Sequence, residues 1–127
     1  MRKKAIVLGV VSLLLLAVGL WFWGSASQKT SSVPTPVATD IIFFFGQECP
    51  HCQDVEKFVS ANKISDKVKF DSLEVWHNSA NADLMLQKAG ECGISKDSVG
   101  VPLLYSKGKC YIGTPEVENF FKQAAGI

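Results

Sequence analysis

This sequence has almost no excess of charge of either sign. Its 13 lysines and arginines nearly balance its 12 aspartates and glutamates, which leaves a formal net charge of +1. It has no basic cluster outside residues 1–4 and no visible internal repeat. Nothing in the sequence therefore supports binding to the phosphates of a nucleic acid.

Cysteine is also scarce, and its spacing limits the sites that the chain can build. Of the four cysteines, Cys49 and Cys52 are close in sequence, whereas Cys92 and Cys110 are far apart. A structural zinc site normally needs a second close pair. A purely structural bridge between Cys49 and Cys52 would close too small a loop to gain much chain entropy. The spacing favours redox chemistry, and we expect no metal site and no bound cofactor.

One long apolar run occurs, and it lies near the N-terminus. Residues 5–23 follow the basic residues at 2–4. As a helix they would span about 28 Å, close to the ~30 Å of a bilayer's hydrocarbon core. The aromatic residues at 21–23 resemble an interfacial belt and suit a retained anchor, whereas the small residues at 25–27 leave a cleaved signal peptide open. The basic residues before the run orient the N-terminus inward.

These features predict the organisation of the whole chain. We expect residues 1–4 in the cytoplasm, a single-pass anchor at 5–23 and a flexible tether at 24–39, which is rich in Ser, Thr, Ala and Pro. The remainder would lie outside the cytoplasm, where disulfides form and persist. Residues 40–127 hold the folded domain, and this length suffices for one modest core.

Within 40–127 the hydrophobic pattern predicts the α/β order β-α-β-α-β-β-α. Apolar runs and alternation predict strands at 41–45, 67–75, 100–105 and 110–113. Helical spacing predicts helices that start at Pro50, at Asn78 or Ser79, and at Thr114-Pro115. Two parallel strands joined by a crossover, followed by an antiparallel hairpin, give a four-stranded mixed sheet covered by helices.

The clearest chemistry lies where the first strand gives way to a helix, in the run Cys49-Pro50-His51-Cys52. Pro50 suits the first helical position, because its missing N–H costs nothing there. Cys49 then lies at the helix N-terminus, where free N–H groups and the helix dipole favour a thiolate. His51 adds a donor or a positive charge beside that sulfur, and Glu48 opposes it with a negative one. We interpret Cys49 as the nucleophile, Cys52 as the resolving cysteine, and Pro50 and His51 as tuning residues.

The element order and two motifs resemble the thioredoxin/glutaredoxin superfamily over the whole of 40–127. The Cys-Pro-His-Cys run is typical of DsbA-like disulfide oxidases, although the domain is too short for their helical insertion. Val101-Pro102 matches the family's cis-proline loop. The resemblance implies that Pro102 is cis and that Val101 offers backbone groups to an incoming peptide. Phe43 stands where many thioredoxins carry a buried carboxylate, which leaves Glu48 or solvent as proton acceptor for Cys52.

The second cysteine pair has two interpretations. Cys92 ends the second predicted helix and Cys110 begins the last strand, so the two could approach across the helix–sheet packing. Outside the cytoplasm such a pair most often forms a structural disulfide, which would brace the cis-proline loop. A relay pair that passes electrons to or from Cys49 and Cys52 is the alternative. His77 stands alone in the sequence, and we assign it no role.

Together these features predict a membrane-tethered, extracytoplasmic thiol–disulfide oxidoreductase that acts on protein thiols as an oxidase. A membrane quinone-linked thiol oxidase could reoxidise it. One alternative is a reductase or isomerase of the same fold, fed by a membrane electron donor. Another is a non-enzymatic module that holds Cu(I) through Cys49 and Cys52, since soft thiolates suit that ion. Pro50 argues against the module, because it pins the pair at a helix start.

Overall fold

An uninterrupted apolar strand lies inside the sheet of the computed structural model, which describes residues 37–127. The strands are β1 (Ile41–Phe45), β2 (Asp71–Glu74), β3 (Leu103–Ser106) and β4 (Lys109–Ile112). Their order is β2-β1-β3-β4. β1 pairs parallel with β2 and antiparallel with β3, and β3 pairs antiparallel with β4.

Four helices cover this sheet, and they leave β1 buried on both faces. They are α1 (Pro50–Ala61), α2 (Ile64–Lys67), α3 (Ser79–Glu91) and α4 (Thr114–Ala125). Ile42 and Phe44 belong to the same buried cluster as Met85 of α3. Phe43 belongs to the opposite cluster, with Val55 of α1 and Phe121 of α4. A strand covered on both faces needs apolar residues at every position, which explains its lack of alternation.

The helix starts follow from local sequence. Cys49 is the N-cap of α1 and Pro50 its first residue. Asn78 caps α3, because its Oδ1 accepts a hydrogen bond from the Asn81 N–H at 3.1 Å. α4 ends at Gly126, whose φ of 69° is the left-handed conformation that glycine adopts at little cost.

The predicted mixed four-stranded sheet with flanking helices is confirmed, and the fold is thioredoxin-like. The strand boundaries of β2, β3 and β4 differ from the prediction, and the starts of β2 and β3 differ by more than one residue. β2 begins at Asp71 and not at residue 67, because residues 64–67 form the short helix α2. β3 begins at Leu103 and not at residue 100, because the chain bends at Val101 and Pro102 before it pairs with β1.

The segment before β1 is fixed to the edge of the sheet. The backbone N–H groups of Ala38 and Thr39 donate to Asp71 Oδ2 at 2.9 and 2.7 Å. Among residues 37–127 no helix is long and apolar enough to cross a membrane. The predicted cytoplasmic segment at 1–4, the anchor at 5–23 and the tether up to residue 36 lie outside the described residues.

Candidate active site

The start of α1 brings Cys49 and Cys52 together. The Cys49 N–H donates to the Gly46 carbonyl at 3.1 Å and closes a tight turn after β1. Cys49 Sγ accepts the backbone N–H of Cys52 at 3.2 Å, and the two sulfurs lie 2.7 Å apart. A disulfide between them therefore needs little backbone movement. The sulfur of Cys49 occupies the N-cap position, where a negative charge meets free N–H groups.

The two cysteines differ in their surroundings. Cys49 keeps 4% of its surface exposed and Cys52 none. Burial raises the pKa of Cys52 to about 12, and its hydrogen bond to Cys49 adds to the rise. Cys52 therefore stays a thiol at neutral pH and can donate to the Cys49 sulfur. This asymmetry suits a pair in which one sulfur meets the partner and the other resolves.

The cis-proline loop lies at the same end of the sheet as Cys49, because Leu103, the first residue of β3, pairs with Phe44 near the end of β1. The Val101–Pro102 bond is cis, as the resemblance implies, and the Val101 carbonyl lies 4.0 Å from Cys49 Sγ. The Pro102 carbonyl accepts the Gly113 N–H at 2.9 Å, which ties the loop to the residue before α4. A groove of about 580 Å³ lies beside the loop, and Ile112 of β4 also lines it. Backbone groups and apolar surface thus meet next to Cys49.

His51 lies at the rim of the same groove. Its side chain is exposed, and its backbone carbonyl accepts a hydrogen bond from Thr114 Oγ1 at 3.2 Å. No hydrogen bond joins its ring to another of residues 37–127. Any tuning of Cys49 by His51 would therefore act through charge, not through a hydrogen bond that this structure contains.

His77, which stands alone in the sequence, has a partner in the fold. Its Nε2 lies 2.8 and 3.0 Å from the two carboxylate oxygens of Glu48, the residue before Cys49. The sequence contains a signal for this pair, since each residue lies three positions beyond a strand, Glu48 after β1 and His77 after β2. β1 and β2 are parallel, so the chain leaves both strands at the same edge of the sheet.

Glu74, at the end of β2, organises that edge. Its carboxylate accepts N–H groups from Trp76 and His77, both at 2.8 Å, and from Gln47 at 3.4 Å. Partial burial alone would raise the pKa of Glu74, but these three donors lower it below the ordinary value. The Trp76 ring lies against Gly46, although half of its side chain stays exposed. One carboxylate therefore fixes both loops beside Cys49.

Cys92 and Cys110 form a disulfide with a Cα–Cα distance of 5.9 Å. It joins the end of α3 to β4, and the chain between the two cysteines includes the cis-proline loop. Cys110 pairs across the sheet with Tyr105, which pairs with Ile42 in the first half of β1, whereas Cys49 follows the other end of that strand.

Within 37–127 no group of three or more His, Cys, Asp or Glu residues could hold a metal ion.

No protein-family model matches the sequence, and no curated protein matches it. Among solved structures, the chain is similar to a buckwheat glutaredoxin in complex with glutathione. That match has 17% identity and a TM-score of 0.44, and it covers 68% of this chain and 70% of the other. The chain is also similar to oxidized glutaredoxin 2 from Chlamydomonas reinhardtii, with 21% identity and a TM-score of 0.41, over 68% of this chain and 82% of the other. Neither likeness identifies a family or an activity, and the thioredoxin-like fold rests on the strand order and connections.

Proposed function

We propose that this protein is a thiol–disulfide oxidoreductase that exchanges disulfides with protein thiols through Cys49 and Cys52. One observation carries the proposal. The Cys49 sulfur caps α1 and accepts the Cys52 N–H, while burial keeps Cys52 protonated beside it. Negative charge that develops on Cys49 Sγ during exchange therefore meets backbone N–H groups at the helix start.

In the oxidising direction, a substrate thiolate attacks Cys49 Sγ in the Cys49–Cys52 disulfide. A mixed disulfide forms, and Cys52 leaves as a thiolate and takes a proton. The second thiolate of the substrate then attacks the substrate sulfur that is bonded to Cys49, and Cys49 leaves as a thiolate. The substrate loses two electrons and gains a disulfide, while Cys49 and Cys52 become a dithiol.

In the reverse direction, Cys52 must become the nucleophile that releases Cys49 from a mixed disulfide. Its raised pKa comes first from burial, which persists in that intermediate. The hydrogen bond to Cys49 and the charge of Cys49 also raise the pKa, and both are lost once Cys49 is bound to a substrate. Cys52 thus becomes easier to deprotonate at the step that needs it.

The groove beside Val101 and Pro102 is the proposed place of the substrate polypeptide. The Val101 carbonyl lies next to Cys49 Sγ, so an extended peptide that meets this backbone would bring its own cysteine to Cys49. The groove is bordered by Ile112 and Pro115, which offer apolar surface to the neighbouring side chains of the peptide.

An oxidase role is the favoured direction. Because the helix start stabilises the thiolate, it stabilises the reduced form and makes the disulfide a better oxidant. The equilibrium of the Cys49/Cys52 couple with glutathione tests this. A value near that of thioredoxin, about −270 mV, would reverse the direction and favour the reductase or isomerase. One equivalent of bound copper without any turnover would instead favour the Cu(I) module.

Membrane tethering is part of the same proposal and is supported by the sequence alone. Residues 5–23 would anchor the chain with its catalytic domain outside the cytoplasm, within reach of a membrane quinone-linked thiol oxidase or electron donor. A thiol reagent that cannot cross the membrane should then label reduced Cys49 in intact cells. Labelling only after lysis would contradict this location.

The decisive experiment replaces each cysteine of the pair. Cys49→Ser should reduce exchange with a dithiol peptide to the uncatalysed rate, because no sulfur then meets the substrate. Cys52→Ser should accumulate the mixed disulfide, because its resolving partner is missing. A variant with both Cys92 and Cys110 replaced by serine is the control and should still exchange. Undiminished exchange in Cys49→Ser would overturn the proposal.

A further inference from the structure

A charged pair that the mechanism does not use lies next to the nucleophile. His77 Nε2 contacts both carboxylate oxygens of Glu48, at 2.8 and 3.0 Å. Glu48 immediately precedes Cys49, inside the turn that the Cys49 N–H closes on the Gly46 carbonyl. The pair therefore lies one residue along the chain from the nucleophile.

The pair is held by the backbone on both sides. The Glu74 carboxylate accepts the N–H of His77 at 2.8 Å from one loop and the N–H of Gln47 at 3.4 Å from the other. A single anion thus spans the β1–α1 turn and the β2–α3 loop. Glu48 and His77 face each other because their loops are joined beneath them, which distinguishes them from two long side chains that meet by chance on a surface.

The proton of His77 decides the charge of the pair. Across residues 37–127, the charged groups that act on the ring are Glu48 on the β1–α1 turn and Glu74 at the end of β2. The hydrogen bond and the charge of Glu48 raise the pKa of His77 above its ordinary 6.5, and Glu74 adds to the rise. α3 begins two residues later, at Ser79, and the positive end of its dipole acts in the opposite direction.

We propose that His77 is a positioning residue for the redox step at Cys49, because its proton cancels the charge of Glu48 beside the thiolate. When His77 loses this proton, Glu48 opposes the thiolate and the disulfide becomes a weaker oxidant. The inference rests on the proposed function, since it concerns the same sulfur. It makes the oxidising strength of the site depend on pH through a residue that does not contact the substrate.

The test compares variants of the full-length chain between about pH 5 and pH 9, across the range in which histidine titrates. Two quantities are measured, the equilibrium constant for reduction by glutathione and the rate of Cys49 alkylation by iodoacetamide. The equilibrium constant is sensitive to the charge pair when Cys49 is ionised, and the alkylation rate is sensitive to it when Cys49 is protonated. One of the two quantities therefore reports the effect of the pair in either state. Each value is divided by that of the wild-type chain at the same pH, which removes the titration of glutathione itself.

At the acidic end, His77→Gln should lower the equilibrium constant or the alkylation rate, whichever of the two is sensitive at that pH. The expected decrease is about twofold to fivefold, the size for an exposed charge pair. Above the pKa of His77 the two chains should converge. Adding Glu48→Gln to His77→Gln should restore the lost value, because the opposing charge is then absent. His77→Lys should equal the wild-type chain at the acidic end and exceed it above the pKa of His77, because its charge is retained there. Lys69→Gln, which removes an exposed positive charge just before β2, at the other end of that strand, should change neither quantity.

Linkage gives a second readout that a structural role would not move. If the proton on His77 favours the thiolate, the thiolate must favour that proton by the same factor. The ring of His77, followed by NMR, should therefore titrate at a higher pH in the reduced chain than in the oxidised chain.

The outcomes separate this inference from the proposed function. A chain whose Cys49/Cys52 couple does not equilibrate with glutathione at all would overturn both. A chain that equilibrates, with His77→Gln equal to wild type at every pH and His77 titrating alike in both redox states, would overturn the role of His77 alone.

Discussion

Cys49 and Cys52 acquire different properties because a helix begins between them. Cys49 precedes the first helical residue, so its sulfur caps the free N–H groups of α1. Cys52 lies inside the first turn with none of its surface exposed. A charge at a helix N-terminus gains about 0.3–1 kcal/mol, and more where it is partly buried. Three residues of backbone thus place one sulfur at the helix start and bury the other inside the first turn.

Gly46 has a comparable importance for the turn before them. A Cβ at this position would overlap the indole ring of Trp76, whose backbone N–H is held by Glu74. Gly46→Ala should therefore lower the free energy of unfolding by about 1–3 kcal/mol, as overpacking does. Urea denaturation measures this.

Gly90→Ala is the matched control for that substitution. Gly90 lies in α3, and a Cβ there would meet nothing within 4 Å. Alanine at this position should be neutral or stabilise by up to about 1 kcal/mol, because glycine weakens helices. Equal urea midpoints for the two variants would show that the Trp76 ring moves aside freely.

At the scale of elements, the sequence predicted what is local and missed what depends on strand pairing. The strand at 41–45 and the helix start at Pro50 follow from runs of neighbouring residues, and the cis-proline loop follows from a two-residue motif within a family pattern. To predict the contact between Glu48 and His77, one must know that β1 and β2 are parallel, so that the chain leaves both strands at the same edge of the sheet. A histidine that is alone in the sequence is therefore not alone in the fold.

The length of β2 was mispredicted for a related reason. Alternation of charged and apolar residues continues from residue 67 to 75, but Val68 donates its N–H to the Ile64 carbonyl at 2.8 Å and ends α2. Val68 is buried in the cluster that contains Val55 and Phe121. Burial against helices thus produced the same spacing that a longer strand would have shown.

The bridge between α3 and β4 carries the prediction that belongs to this scale. Cys92 and Cys110 are separated by 18 positions, and the chain-entropy model gives about 3 kcal/mol for a loop of this size. Replacing both with serine should lower the free energy of unfolding by about that amount. Urea denaturation of the oxidised chains measures it.

The same double variant distinguishes a brace from an electron relay. A brace predicts that the folded variant still exchanges disulfides through Cys49, with faster amide hydrogen exchange in residues 93–101. A relay predicts that exchange is lost although the variant is folded. Ser95→Ala, which removes the Ser95–Ser98 side-chain hydrogen bond within that loop, serves as a control for local loosening without loss of the bridge.

At the scale of the whole domain, the cysteine pair lies at the carboxyl ends of β1 and β2. At the opposite edge of the sheet, a carboxylate holds the segment that leads into β1. Asp71 begins β2 at that opposite edge and receives three donors on one oxygen. These come from Ala38 and Thr39, the residues that lead into β1. The same strand that ends in Glu74 beside the active site thus begins in a carboxylate that holds the entry of the chain.

This arrangement makes part of the domain's stability depend on acid pH. Partial burial alone would raise the pKa of Asp71, but the hydroxyl and N–H of Thr39 and the N–H of Ala38 lower it below the ordinary 3.8. The native state therefore binds this proton less readily than the unfolded state. The stabilisation is complete above the ordinary pKa of aspartate and is lost as pH falls through the lower pKa of the folded state.

Asp71→Asn tests this linkage, because a neutral amide oxygen accepts hydrogen bonds less strongly than a carboxylate. At pH 7 the variant should be less stable by about 1 kcal/mol or less, since the site is open to solvent and screened. Between about pH 4 and pH 2 it should lose less stability than the wild-type chain, so the two urea midpoints should converge. Asp83→Asn, on the exposed side of α3, should leave the acid slope unchanged. An unchanged acid slope in Asp71→Asn would mean that other carboxylates carry the pH dependence and that the entry of the chain is held without the charge.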